Sequence, residues 1–547
     1  MSAAANPRRR ALLAGAAALP WAGCTRGAAV AYDGSWLGAA HERGHRLLDA
    51  SGMRAADVHR HAQVIVVGAG VAGLAAARAL LHAGIDDVHV FELEDSAGGN
   101  SRGHLLGGMP CPLGAHYLPL PGAQAPELAQ LLAELGLSRI EAGKTVYDER
   151  HLCHSPQERL FIGGEWVEGL LPPLEALPSA QRVATLQQYQ RFHAAVEAAG
   201  RDQAFCLPTL RAKPSAIAAE LGKLSFAAWL DSEGFNAPAL RWYLDYCCRD
   251  DFGAGASFVS AWAGVHYFAS RHGFHAPGDD AADPDAHDPV LTWAQGNAWL
   301  TQRLAAPLGE RLHTGHLALR VREARHQASL EVWNVAGQRV ETWSAGHIVL
   351  GLPLFIAARL FDAAPSALRQ AAALLHHAPW LVANLHLREP VVDRGGAAPA
   401  WDNVLFDSPT LGYVDAMHQS TRPHPGPTVL TAYWALGGAS LQELRAQRTR
   451  LLEAPWSAWA SAVVQELERA HPEIGTRLAR VDLMRYGHAM AIPAPGVQGH
   501  AALRALIDLR GRVRFAHSDL SGYSVFEEAF FHGHRVGRSI AQESRRA

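Results

Sequence analysis

The chain has 547 residues, and 49 Lys+Arg against 52 Asp+Glu give a formal charge of −3. That balance argues against a nucleic-acid protein, because phosphate binding needs a basic excess. With 49% hydrophobic and 18% charged residues, the chain buries a sizeable core, is not globally disordered, and has length for two or more domains.

In residues 1–24, Arg8, Arg9 and Arg10 precede an apolar run from Ala11 to Gly23. The run is too short to span a bilayer core of roughly 30 Å, so it reads as an export signal rather than a membrane helix. The adjacent arginines followed by Leu12 and Leu13 resemble a twin-arginine signal, which implies the twin-arginine translocase as a partner and a periplasmic or cell-envelope location. Trp21-Ala22-Gly23-Cys24 loosely resembles a lipoprotein cleavage box, with Trp where Leu is usual. Membrane attachment is expected only if Cys24 is lipidated. The competing reading of this stretch is a basic, Ala-rich disordered leader.

Residues 64–94 carry a strand, a glycine turn, a helix and a second strand. Val64 to Val67 is a wholly apolar, β-branched run of the kind found in buried parallel strands. Gly68, Gly70 and Gly73 then fit G-x-G-x-x-G, and Ala72 to Leu81 is helical in composition. Gly68 permits the tight turn, Gly70 admits a pyrophosphate and Gly73 allows close helix–strand packing. The helix start offers free N–H groups and partial positive charge to the phosphates. Glu92, closing the second strand, is placed to accept hydrogen bonds from both ribose hydroxyls. Gly98 and Gly99 follow six positions on, a second glycine pair that a nicotinamide-only domain does not need. At this point the sequence resembles the flavin-containing amine oxidase superfamily, which includes monoamine and polyamine oxidases, protoporphyrinogen oxidase and phytoene desaturases. The resemblance implies FAD, an α/β fold with a Rossmann-like FAD domain split in sequence, and an inserted α+β substrate domain. The family's Gly-Gly-Arg turn is matched at Gly98 and Gly99, but Asn100 stands at the Arg position. Arg102 is the nearest substitute for that charge. Gly114, Ala115 and His116 match the segment that approaches the flavin ring.

Further segments extend the resemblance. Residues 291–300 resemble the Gly-rich approach to a helix facing the flavin. Residues 313–321, with Leu319, resemble a strand offering backbone groups to the adenine. Residues 346–357, ending in Leu352-Pro353, resemble the strand leading to the second domain. Near the C-terminus, Asp519, Glu527 and Ala529 match the family's acidic turn and helix opening. His517 replaces a Gly there, and so does Glu528, which is expected to point outwards as an ordinary helix-start acid. The division that follows is 1–24 export signal, 25–54 N-terminal extension, and 55–122, 290–375 and 480–547 for the flavin domain. Residues 123–289 and 376–479 are assigned to the substrate domain, with a helix over 180–199 and strands over 381–387 and 429–434.

The family's oxidases commonly place a lysine near the flavin. This chain has only Lys144, Lys213 and Lys223, and Asn384 best matches the lysine's position. No Cys follows Cys248, so a covalent flavin link has no counterpart and noncovalent FAD is expected. The electron acceptor, oxygen or a redox partner, stays open, with fast oxygen reduction in doubt. Tyr486 and Tyr523 are candidates for the two rings that flank an amine in relatives; the other reading makes both packing residues. Tyr246 to Gly253, with Arg249, Asp250 and Asp251, either lines the substrate funnel or forms ion pairs at a helix end. His272, His275 and His287 fall in an Asp-rich stretch that reads as a solvated acidic loop, not a metal site. Six sparse cysteines without CxxC argue against a disulfide framework, and Cys247 and Cys248 read as core thiols. The leading expectation is an exported FAD enzyme taking a hydride from a small or polyamine-like amine. Two alternatives stand beside it: a desaturase or dehydrogenase acting on an apolar C–C or ring substrate, and a flavin-binding protein with reduced catalysis.

Overall fold

The computed structural model describes residues 32–38, 40–48, 58–153, 156–271, 273–276 and 289–546. The export signal with Cys24, and His272 and His287 of the acidic loop, lie outside them. Strand His59–Val67 is buried from Val64 onward and pairs in parallel with Val88–Phe91 on one side and Arg339–Leu350 on the other. Leu312–His313 and Val513–Phe515 add further parallel strands, and His316–Glu323 and Ala328–Asn334 complete an antiparallel meander on the same sheet. Chain segments more than 400 residues apart in sequence thus meet in one sheet, as a split nucleotide-binding unit requires.

Helix Val71–His82 covers this sheet and packs against the C-terminal helix Phe526–Ser544. The two approach closely because Gly533 and Gly537, one turn apart, face the Ala72 and Ala76 carbonyls; a methyl at Gly533 would overlap the Ala72 oxygen. Helix Pro126–Glu134 joins the same core through Leu128, Leu131 and Leu132. That corrects its expected place in the substrate domain, since its apolar face packs on the nucleotide-binding helices.

The second sheet runs in the order Asp33–Leu37, Leu478–Ile492, His376–Leu387, Thr428–Ala435, Tyr413–Asp415, Asp402–Leu405, Glu158–Ile162 and Glu165–Glu168. Two of its strands extend the expected runs at 381–387 and 429–434. Strand Leu478–Ile492 pairs with His376–Leu387 along nearly its whole length. The expected flavin-domain boundary at 480 therefore moves past Ile492, because backbone pairing commits this strand to the second sheet. The N-terminal extension supplies that sheet's edge strand, Asp33–Leu37, parallel to Leu478–Ile492. On its other side this unit carries helix Ser179–Gly200, close to the expected 180–199, together with helices Pro238–Phe252 and Ala261–Ala269 around an aromatic core. Cys247 and Cys248 are buried there, and burial holds both thiols well above their usual range.

Candidate active site

The glycine turn has the backbone that its residues dictate. Gly68 has φ +96°, and a Cβ there would stand 2.7 Å from the Gly351 oxygen. A methyl on Gly73 would overlap the Gly68 carbonyl. Helix Val71–His82 starts at Gly70 with no side-chain cap, so its first-turn N–H groups, Ala72 and Gly73 among them, have no side-chain partner there. Gly98 (φ +128°) and Gly99 (φ +58°) fold back onto this turn, and the Gly98 N–H donates 2.8 Å to the Ala69 carbonyl. A Cβ on Gly99 would come within 3.1 Å of the Gly70 α-carbon. Two side-chain-free backbones facing each other beside an uncapped helix start fit a pyrophosphate, so these residues suit the dinucleotide half of FAD.

Glu92 lies where the ribose assignment needs it. Its Oε2 accepts from the Ala69 N–H at 2.8 Å and its Oε1 from the Glu94 N–H at 3.0 Å, leaving lone pairs on both oxygens for a diol. Burial raises its carboxyl above the usual range, opposed by those two N–H groups and by Arg102. Leu319 sits at a bulge between Ala318 and Arg320, which takes its backbone out of the strand ladder.

Arg102 is buried under the turn. Its Nη1 donates to the Gly38 carbonyl at 2.6 Å and its Nε to Gly99 at 3.1 Å, and Glu94 stands 3.6 Å away. Its side chain thus braces the glycine pair. The Asn100 side chain turns away from it and donates to the Ala489 carbonyl.

The flavin-facing segment is clamped from the second sheet. Three neighbouring strands each send one donor to three consecutive carbonyls. Asn384 Nδ2 donates to Pro112 at 2.9 Å, Tyr486 to Leu113 at 2.9 Å and Tyr433 to Gly114 at 3.0 Å. Behind the segment, the Asn100 carbonyl accepts from the Ala115 N–H at 2.9 Å, and the Ala115 carbonyl accepts from Asn297 at 3.0 Å. Asn384 is fully buried, and its Oδ1 accepts from Thr431 at 2.7 Å. Its expected catalytic role is therefore corrected: with both ends of the amide engaged, it positions the loop. Tyr486 shares that clamp.

Tyr523, the other expected aromatic, stands apart from the clamp. It is 1% exposed, edge-on to Trp262 and Phe252, paired with His266 Nε2 at 2.9 Å, and it donates to Glu528 at 3.0 Å. Glu528 is likewise fully buried, which overturns its expected outward orientation. It accepts from the Thr209 N–H at 2.6 Å and from Ser521 Oγ at 2.5 Å as well as from Tyr523. Burial raises its carboxyl and these donors oppose the shift, so the helix opening is tied to the 209–211 turn. Neighbouring Glu527 is buried with its carboxyl raised, tempered by Arg271, and Ala529 packs on the nucleotide-binding core. Asp519 accepts from the Leu354 N–H at 2.8 Å and His377 Nε2 at 3.0 Å. Burial opposes its ionisation, but His377 and His517 outweigh it and hold the carboxyl well below the usual range.

Beside the clamp is a group that joins His116 and Asp250, both marked in the sequence, to Tyr433, Trp401 and Asp402, which sequence reasoning missed. The His116 ring stacks on Tyr433 at 4.4 Å and lies 5.4 Å from Trp401, which meets Tyr117 edge-on. Burial lowers the His116 imidazole to about 3, so it is neutral near pH 7. Burial raises Asp402 well above the usual carboxylate range, helped by neighbouring Asp250 and Glu158. Asp250 is raised to about 7 by burial and by Asp251. Both charges are felt at Tyr433. The segment 246–253 thus divides: Arg249 pairs with Asp245 and Asp251 with Arg271, each at 3.1 Å, while the charge of Asp250 acts on Tyr433 and Tyr117. The expected strand over 429–434 contains Tyr433 without marking it; Trp401 and Asp402 lie in no recognisable motif.

Residues 71–541 match the family described as flavin containing amine oxidoreductase. No curated protein matches significantly. Among solved structures, wild-type putrescine oxidase bound to putrescine is similar at 18% identity and TM-score 0.64, covering 89% of this chain and 100% of that one. Cyclohexylamine oxidase from Brevibacterium oxydans IH-35A is similar at 20% identity and TM-score 0.63, covering 88% and 99%. A CLA-producing fatty acid isomerase from P. acnes shares the fold at 16% identity and TM-score 0.55, covering 87% and 97%. With a profile match across most of its length and a split nucleotide-binding unit to house the cofactor, the chain belongs to the flavin-containing amine oxidoreductase family and is an FAD-dependent oxidoreductase.

Proposed function

We propose that the enzyme oxidises a cationic amine, small or polyamine-like, in the cell envelope. The observation that carries this reading is the ring group of His116, Tyr433 and Trp401 beside the clamped 112–114 carbonyls, with Asp402 and Asp250 close enough for their charge to act on Tyr433. The charges acting on Asp402 are acidic, so a protonated amine would supply its counter-charge, whereas Arg271 and Arg249 already temper Asp250. The rings offer π faces to the same cation. Asp250, raised to about 7, is suited to take the ammonium proton and free the nitrogen lone pair. Bound FAD, held by Gly68–Gly73, Glu92 and Gly98–Gly99 without a covalent link, supplies the hydride acceptor. The clamp from Asn384, Tyr486 and Tyr433 fixes the segment that faces it.

Export through the twin-arginine translocase rests on Arg8–Arg10 and the apolar run behind them; lipidation at Cys24 would add an anchor. No lysine follows Lys223, and Asn384 is occupied by the clamp, so the reduced enzyme passes electrons to an acceptor other than oxygen at its main rate. Anaerobic mixing of the purified holoenzyme with putrescine, cyclohexylamine and a long-chain fatty acid tests the substrate class. Bleaching of the oxidised flavin by an amine alone is expected. Bleaching by the fatty acid alone would move the assignment to the apolar alternative.

A further inference from the structure

Residues 38 and 40–48 lie outside the matched family region and are anchored to residues 93–102, the stretch that follows Glu92 and carries the glycine pair. The Gly38 carbonyl accepts from Arg102, which braces the Gly98–Gly99 turn. The Ala40 N–H donates to both Glu94 oxygens, at 3.1 and 3.0 Å. Arg43 Nη1 donates to the Leu93 carbonyl at 2.6 Å and to Asp95 Oδ1 at 2.9 Å. Leu47 packs with Leu317, Leu319 and Leu93, and so touches the bulged strand offered to the adenine. His45 is near enough to His488 for its charge to be felt there. The His488 ring lies tilted against Phe355 at 4.7 Å, and His488 precedes Ala489, the partner of Asn100.

We infer that Gly38 and residues 40–48 form an outer wall of the cofactor site, clasping the adenosine half of FAD against Glu92 and Leu319. The wall holds the two residues after Glu92 from outside, so the ribose acid cannot swing away from the turn. Leu47 also covers apolar surface that an adenine edge would otherwise share with water. The inference rests on placing the ribose at Glu92, and the test separates the two. Apo-protein carrying Arg43→Ala with Leu47→Ala is titrated with FAD by flavin fluorescence, and with ADP by competition against FAD. FAD affinity is expected to fall about tenfold, part of the worth of Arg43's two hydrogen bonds and the half-buried Leu47 being felt at the cofactor, and ADP affinity by the same factor. Unchanged FAD affinity, or an FAD loss that ADP does not share, overturns the clasp. Glu92→Ala is titrated in parallel. If it weakens FAD while the double variant does not, only the clasp falls; if it leaves FAD affinity intact, the ribose placement falls and takes the clasp with it.

Discussion

At the dinucleotide end of the cleft, the contacts offered to the cofactor are mostly backbone: an uncapped helix start, Gly70 facing Gly99, and one acid, Glu92. At the flavin-facing end the backbone is itself held by side chains from separate parts of the chain: Asn384, Tyr433 and Tyr486 fix carbonyls 112–114, with His116 and Trp401 packed beside them. Backbone recognition depends on what is absent, so a single methyl destroys it. Side-chain recognition depends on chemistry added at chosen positions, so it tolerates change in shape but not in charge.

The sharpest way to break this contrast is Gly73→Ala. Its Cβ would overlap the Gly68 carbonyl, and backbone on both sides leaves little room to relax. A loss of about 3–5 kcal/mol, enough to prevent recovery of folded protein, is expected in denaturant titration; a stable yellow variant would refute the close approach. Next comes Asp402→Asn, which should lower kcat/KM for a cationic amine about 100-fold, roughly 2.7 kcal/mol, while FAD content stays full. An equal loss for a neutral substrate would show that the carboxylate does not read charge. Glu92→Ala should weaken FAD by about 1.5–3 kcal/mol, as for other charge-assisted hydrogen bonds, measured by flavin release. Asn384→Ala should cost about 1–3 kcal/mol of stability by orphaning the Thr431 hydroxyl and the Pro112 carbonyl, with KM nearly unchanged. A large KM change there would return Asn384 to the substrate side. The subtlest effect is on pH. Because Asp250 is raised to about 7, kcat/KM for amines should climb as pH rises through that value, and Asp250→Asn should remove the climb. The same shift has a stability sign. The native state holds a proton that the unfolded chain gives up near 3.8, so this group's contribution to stability declines between 3.8 and about 7.

The contrast also explains what could be read in advance. Gly68, Gly70, Gly73 and Glu92 fall within about 25 residues, where local strand and helix patterns fix their geometry. Glu528 sits in an equally recognisable helix opening, yet its orientation depends on Thr209, Ser521 and Tyr523, and nothing in its own segment announces Thr209. Asn384 was singled out by its place relative to an absent lysine. Its role is set instead by sheet register, which puts it opposite Thr431 and next to the Pro112 carbonyl. Asp402 and the preceding Trp401 were invisible because the strand Asp402–Leu405 is short and meets the site only after the second sheet closes.

The edge pairing of Asp33–Leu37 with Leu478–Ile492 sets an order of events during synthesis. Ser35 and Asp482 are 447 residues apart, so the first strand to leave the ribosome has no seat until almost the last one has emerged. Docking of Asp33–Leu37 therefore waits on Leu478–Ile492, whereas the neighbouring residues Ala40 and Arg43 find their partners at Leu93–Asp95, made early in synthesis.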